Sequence, residues 1–293
     1  GLDRSVAQLS RSLSWAYLKD GRFEEARACI AGVLEELERL GERERVSDTY
    51  LGARFFENRV LFESDAFEEA QERAHETYEL GTEHRNRTIE SGAAAQLASL
   101  YFRRGEHEKA ERFAERGLEI AKQIDNKWDV ISCAAVFQGI RYERDPSSVA
   151  FSELEAIERG TRSTGDASMS IDLIAEVLIR IGEVDRARRI VETGVERAGG
   201  RLNESRNELC LGFVALNSGK DRYSEAKRHF LRSRELAETI GSRSIAGRAL
   251  LGLAMLSRAQ GDDEYRSYAQ SALAIFQELG LRRYALRAES LLK

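Results

Sequence analysis

The stretch KDGRFEEA (residues 19–26) returns as ESDAFEEA (63–70), RRGEHEKA (103–110), RIGEVDRA (180–187) and GKDRYSEA (219–226). A degenerate copy, ERDPSSVA, occupies 143–150, and a looser one, AQGDDEYRSYA, occupies 259–269. In the first six copies the closing alanines are Ala26, Ala70, Ala110, Ala150, Ala187 and Ala226, about 40 residues apart, a spacing that marks a stacked repeat architecture. Apolar residues recur at three- and four-residue spacing before each turn (Leu13, Tyr17 and Leu18; Ile174, Leu178 and Ile179) and again after it (Phe23, Ala26, Ile30, Val33, Leu34 and Leu37). That period predicts two amphipathic helices per unit. Gly21, Gly105, Gly182, Gly219 and Gly261 mark the bend, and Asp65 and Asp145 take the same place in the other two units. The pattern predicts left-handed backbone there. Gly41, Gly81, Gly199, Gly241 and Gly280 are expected to end the second helices, with Asp125 and Gly160 in that role elsewhere.

Seven residues before each bend stand Ser14, Asn58, Ala98, Gln138, Ala175, Gly212 and Ala254. Small side chains there, facing the closing alanines, let two antiparallel helices approach closely. Asn58 and Gln138 are too large for that rule, and their amides are expected to reach a loop carbonyl.

Composition narrows the class. The 293-residue chain carries 45 Lys and Arg against 50 Asp and Glu, a net charge of −5 that disfavours a nucleic-acid partner. One proline in the whole chain suits near-continuous helix. The apolar runs are too short for a membrane span. Cys29, Cys133 and Cys210 lie far apart and read as reduced thiols of a cytoplasmic protein. His75, His84, His107 and His229 are scattered with no metal-ligand spacing, and no phosphate-binding glycine loop occurs. No cofactor, no metal and no catalysis are expected.

The unit resembles the tetratricopeptide repeat. It has small residues at the eighth and twentieth positions, an aromatic in the first helix (Tyr17, Tyr101), and another after the turn (Phe23, Phe67, Tyr223). The resemblance covers residues 5–292 and departs in period, the family norm being 34 residues. The longer unit, ending in segments such as ALAIFQELG (272–280), resembles the sensor arrays of bacterial signalling ATPases and maltose-activator-type regulators, and is similar to arrays of peptide-pheromone receptors. HEAT-type repeats share the period but usually carry more proline and lack the small-residue pairing.

The resemblance implies an all-α, right-handed α-solenoid. It would form a single domain over 1–293 with about seven repeats (2–41, 43–81, 86–125, 127–160, 166–199, 201–241 and 242–280) and a capping helix at 281–292. In such arrays the first helices line a concave groove. Register places Trp15, Lys19, Phe55, Arg59, Arg103, Arg180, Phe213 and Asn217 on that face as candidates for partner binding, a mixture suited to an acidic and apolar peptide or helix. The alternative is that the arginines merely pair with Glu63, Glu143, Asp172 and Glu176. The lysine–asparagine pairing of carboxylate-clamp cochaperones does not appear at matching positions.

The expected function is therefore a non-catalytic protein- or peptide-binding scaffold or sensor of a larger bacterial signalling or regulatory protein. The alternative is a small-ligand or peptide-pheromone receptor controlling a transcription regulator. Leu2, Val6, Leu9 and Leu13 on the first helix suggest a missing neighbour, hence either a preceding segment or self-association through the N-terminal repeat.

Overall fold

The computed structural model describes residues 4–39, 47–164, 168–197 and 199–293. These residues form fifteen α-helices and no strand. In order they are α1 (Arg4–Lys19), α2 (Phe23–Arg39), α3 (Asp48–Glu63), α4 (Phe67–Glu83), α5 (Arg87–Arg104), α6 (His107–Gln123), α7 (Lys127–Arg144), α8 (Phe151–Thr164), α9 (Ser168–Arg180) and α10 (Val184–Arg197). Then come α11 (Arg201–Leu216), α12 (Tyr223–Ile240), α13 (Arg243–Gln260), α14 (Tyr265–Glu278) and α15 (Arg282–Leu292). Two short 3₁₀ turns, Pro146–Ser148 and Lys220–Arg222, sit inside hairpins. The chain is an all-α solenoid of helix hairpins.

Local chemistry sets the helix ends. Ser47, Asn86 and Asn126 accept backbone N–H groups at the starts of α3, α5 and α7. Gly105, Gly241 and Gly261 close α5, α12 and α13 in left-handed conformation, and Asp65 and Asp125 adopt positive φ as the repeat predicts. Asp145 departs from the expectation: its φ of −156° is extended, and its carboxylate accepts the N–H of Ser147 to start a 3₁₀ turn. Gly81 and Gly160 also differ, because both lie inside helices. A Cβ on Gly81 would stand 2.8 Å from the Glu90 nitrogen of the next unit and one on Gly160 2.9 Å from Ile131 of its own hairpin, so the first glycine serves close approach between units and the second close approach within one. Arg85, with φ 55°, takes the left-handed position after α4. Among the sequence-based assignments, Leu2, Gly41 and the repeat bounds 2, 41, 43 and 166 lie outside the described residues.

Within hairpins the small residues meet. Ser14 donates its hydroxyl to the Ala26 carbonyl at 2.7 Å, and Ala26, Ala70, Ala98, Ala110, Ala175, Ala187 and Ala254 are buried. The two large exceptions find side-chain and amide partners rather than a loop carbonyl. Asn58 donates to the Thr77 hydroxyl at 3.0 Å, while Gln138 donates to Glu153 and accepts the Ala150 N–H at 3.0 Å.

Packing between hairpins goes beyond neighbours. Leu18, Phe23 and Ala26 of the first hairpin share one apolar cluster with Leu202, Leu209, Ile240 and Ile245 of the sixth and seventh. Leu61, Phe62 and Phe67 of the second share another with Leu251, Phe276, Leu281 and Tyr284 of the seventh and of α15. Hairpin one touches six and hairpin two touches seven, so the superhelix completes a turn in about five units and its successive turns are in contact. The Asp65 carboxylate accepts the Ser244 N–H across this seam at 2.9 Å. The last helix therefore does more than cover the seventh pair: it lies against α5 and closes the interior. At the other end Leu9 and Leu13 are exposed.

Gly200 is the tightest point of the seam. Its φ is 96°, and a Cβ there would fall 2.3 Å from the Lys19 carbonyl oxygen. Gly200→Ala combines backbone strain with a backbone clash and should cost about 1–3 kcal/mol. Chemical denaturation of the two proteins measures it, and unchanged stability would mean that the first and sixth hairpins do not meet.

Candidate functional site

The first helices of the hairpins and α15 face a common interior, and that interior is charged. Glu63 is paired with Arg206 and, at 3.3 Å, with Arg59. Asp172 accepts Arg248 at 2.6 Å and Arg103 at 3.3 Å. Glu176 accepts Arg283 at 2.6 Å and Arg287 at 2.7 Å, with Arg180 at 3.6 Å. Glu143 accepts Arg283 at 2.6 Å, has His107 at 2.9 Å, and has Arg180 at 3.5 Å. These contacts join helices up to 143 residues apart in sequence. Guanidinium groups suit such sites because a planar fork of donors can serve two carboxylates at once.

The acids respond to this field. Burial pushes each carboxyl pKa upward, but the arginines outweigh it: Glu63 is held down by Arg206 and Arg59, Asp172 by Arg248 and Arg103, and Glu176 by Arg283 and Arg287. Glu143 is lowered against burial by His107 and Arg283. The basic side is crowded. Burial, Arg283 and Arg180 lower the Arg287 pKa, with Glu176 opposing them. Around this centre stand five guanidiniums (Arg103, Arg180, Arg248, Arg283 and Arg287) against three carboxylates (Glu143, Asp172 and Glu176). The interior is thus cationic in a chain whose net charge is −5.

Between these groups lies a cavity of about 340 Å³. Its charged walls are Asp172, Glu176 and Arg180 of α9, Arg248 of α13 and Arg287 of α15. Its apolar walls are Ile179, Phe213, Leu251 and Met255, with Tyr142 and Tyr284 at its sides. Burial pushes the Cys210 thiol up to about 12, so this lining cysteine acts as a small apolar wall rather than a nucleophile. Asp172 keeps Oδ1 buried with no hydrogen-bond partner among the described residues.

The sequence-selected residues separate into two groups and a link. Arg180, Phe213 and Asn217 line the cavity, and the exposed Asn217 amide donates to the Phe213 carbonyl. Trp15, Lys19 and Arg59 cluster at the other end, with the Lys19 ammonium and the Arg59 guanidinium each 5.1 Å from the Trp15 ring centre. Arg103 links the two through Asp172 while lying over Phe62 at 5.0 Å. Phe55 stands apart, pressed against α5 where a Cβ on Gly92 would meet its ring at 2.7 Å. All three selected arginines pair with the acids named from the sequence: Arg59 with Glu63, Arg103 with Asp172, and Arg180 with Glu143 and Glu176. Repeat register missed Arg206, Arg248, Arg283 and Arg287. Arg248 could have been found as the lone charge in the apolar run 244–256, whereas Arg283 and Arg287 look like the polar side of an ordinary terminal helix.

Hairpins of this design stacked into a closed coil define an α-solenoid repeat protein. Residues 92–124, which span α5 and α6, match the tetratricopeptide repeat family. The α5–α6 hairpin is thus similar to a tetratricopeptide repeat. No curated protein sequence matches it. Similar solved structures include a Rap protein complexed with competence and sporulation factor, with 11% identity, coverage of 99% of this chain and 97% of that one, and a TM-score of 0.58. Another is yeast Tom70, with 14% identity, coverage of 92% of this chain and 60% of that one, and a TM-score of 0.47.

Asp172 is a buried acid shared by two arginines from different helices. Asp172→Asn leaves Arg248 and Arg103 buried without their counter-charge and should cost about 3–5 kcal/mol. The pH dependence has a definite sign. Acids whose pKa is lower folded than unfolded contribute stability above the ordinary carboxylate range and lose it as pH falls below about 4.5. Thermal melts should therefore fall steeply on acidification through that range, and the variant's melt should fall less steeply. Parallel curves would contradict the assignment.

Proposed function

We propose that the chain is a non-catalytic scaffold that holds a protein or peptide partner in the interior of its superhelix, and that the partner brings acidic and apolar groups. The observation that carries this reading is the cationic surplus around the cavity. Burying charge is costly, and a seam selected only for stability would be apolar. Unbalanced arginines beside aromatic and aliphatic walls instead suit an anionic, partly apolar chain. Supporting it, the Rap protein of the same fold is complexed with competence and sporulation factor. Among the described residues no helix is long and apolar enough to cross a membrane. Placement in a bacterial signalling or regulatory protein of the cytoplasm belongs to the same proposal.

A second reading is a small-ligand or peptide-pheromone receptor that controls a transcription regulator. It is favoured by the contact of α15 with α5, which brings the end of the array onto its middle, where binding could alter the closure.

Selection from a random displayed peptide library tests the first reading. The enriched peptides should combine Asp or Glu with aromatic or branched residues. Their affinity should fall about tenfold between low and high salt and on Arg180→Gln. Enrichment of basic peptides, or binding indifferent to both changes, would contradict it.

A further inference from the structure

The cavity has a composition that the general reading of a peptide groove does not specify. Its charged groups and its apolar groups meet across one small space. Arg180 and Arg287 lie on α9 and α15, and Leu251, Met255 and Phe213 lie on α13 and α11. Arg180 reaches its acids only at 3.5 and 3.6 Å, so its pairing is loose, and its side chain keeps 30% of its exposure. Arg287 shares the single acid Glu176 with Arg283. Three guanidiniums thus divide two carboxylates, Glu143 and Glu176, at the edge of an apolar space. Its volume of about 340 Å³ lies at the lower end of the range for small-molecule sites. An unpartnered buried acceptor, Asp172 Oδ1, belongs to a residue of the same wall.

We propose that this cavity is a recognition subsite for a carboxylate attached to an apolar group. The carboxylate sits between Arg180 and Arg287, and the apolar group lies against Phe213, Leu251 and Met255. An added anion offsets the burial and the neighbouring Arg283 and Arg180 that lower the Arg287 pKa, and it brings the local charges closer to balance. A charge-assisted pair of this kind, shielded from water, is stronger than the same pair at the surface. An N–H next to the carboxylate would give Asp172 Oδ1 its missing donor, so an N-acylated amino acid matches the site more fully than a simple fatty acid. The same chemistry can come from a peptide's terminal carboxylate, from an acidic side chain, or from a small free acid. The proposal rests on the reading of the interior as a binding surface and adds where the anion goes.

The test uses the intact protein and small probes followed by ligand-observed NMR and calorimetry. N-acetylphenylalanine should bind about tenfold or more tightly than N-acetylphenylalanine amide, which has the same shape without the charge. N-acetylglutamic acid α-amide and 3-phenylpropionate separate the sources: the first carries the acid on a side chain, and the second is an acid with no N–H. Arg180→Gln, at a partly exposed and loosely paired position, should remove the preference for acid over amide. Met255→Trp should fill the cavity and abolish binding of every probe while the circular-dichroism spectrum stays helical.

Equal binding of acid and amide would overturn the subsite, as would an acid preference that survives both variants, or no binding of any acid at tens of millimolar. A library-selected peptide that binds through Arg103 and is indifferent to Met255→Trp would leave the interior as a binding surface and still overturn this subsite. Failure of all peptides as well would remove the broader reading with it.

Discussion

Two turns of the superhelix press against each other, and the arginines of one turn must find carboxylates on the other. That constraint governs most of the structure. Glu63 meets Arg206, Asp172 meets both Arg103 and Arg248, and the Arg283 guanidinium bridges Glu143 and Glu176. None of these charges could stay inside the protein alone, because an unpaired buried ion costs far more than a pair. The apolar seams that accompany them, Leu18 with Leu202 and Phe62 with Leu281, bring the turns together, and the ion pairs fix which hairpin faces which.

The repeat supplies the geometry for this closure. Small residues where each hairpin crosses, such as Ser14 over Ala26, keep its helices close. The helical Gly81 then lets the following hairpin nest against the second helix, and Gly160 keeps the two helices of its own hairpin close. Closure leaves a bounded cavity instead of an open trough, with guanidiniums beside its aromatic walls. In a coil whose end rests on its middle, the hold on α15 depends on Glu143 and Glu176 keeping Arg283 and Arg287, for which an anionic occupant would compete.

The sequence displayed the hairpins plainly because their signals are local. A bend residue, a closing alanine and an aromatic after the turn lie within eight positions, and each answers to the nearest helix. Asp65 and Asp125 were legible for the same reason: left-handed backbone is a property of one residue. Asp145 was misread because Pro146 and Ser147 offered it a different local task, starting a 3₁₀ turn. The closure was not legible. The partnership of Arg283 with Glu143 spans 140 residues, and nothing near either side chain announces the other. Register identified which side of each helix looks inward, hence Arg59, Arg103, Arg180 and their acids. It could not show that a terminal helix would add two more guanidiniums. Phe55 shows the limit of that method, since its ring packs onto α5.

Small-angle X-ray scattering of the intact protein at neutral pH tests the closed coil most directly. Contact between successive turns predicts a compact particle with a radius of gyration of about 19–21 Å, close to that of an ordinary globular chain of this length. An elongated profile with a radius above about 28 Å would show that the turns stand apart and that the shared charged interior does not exist.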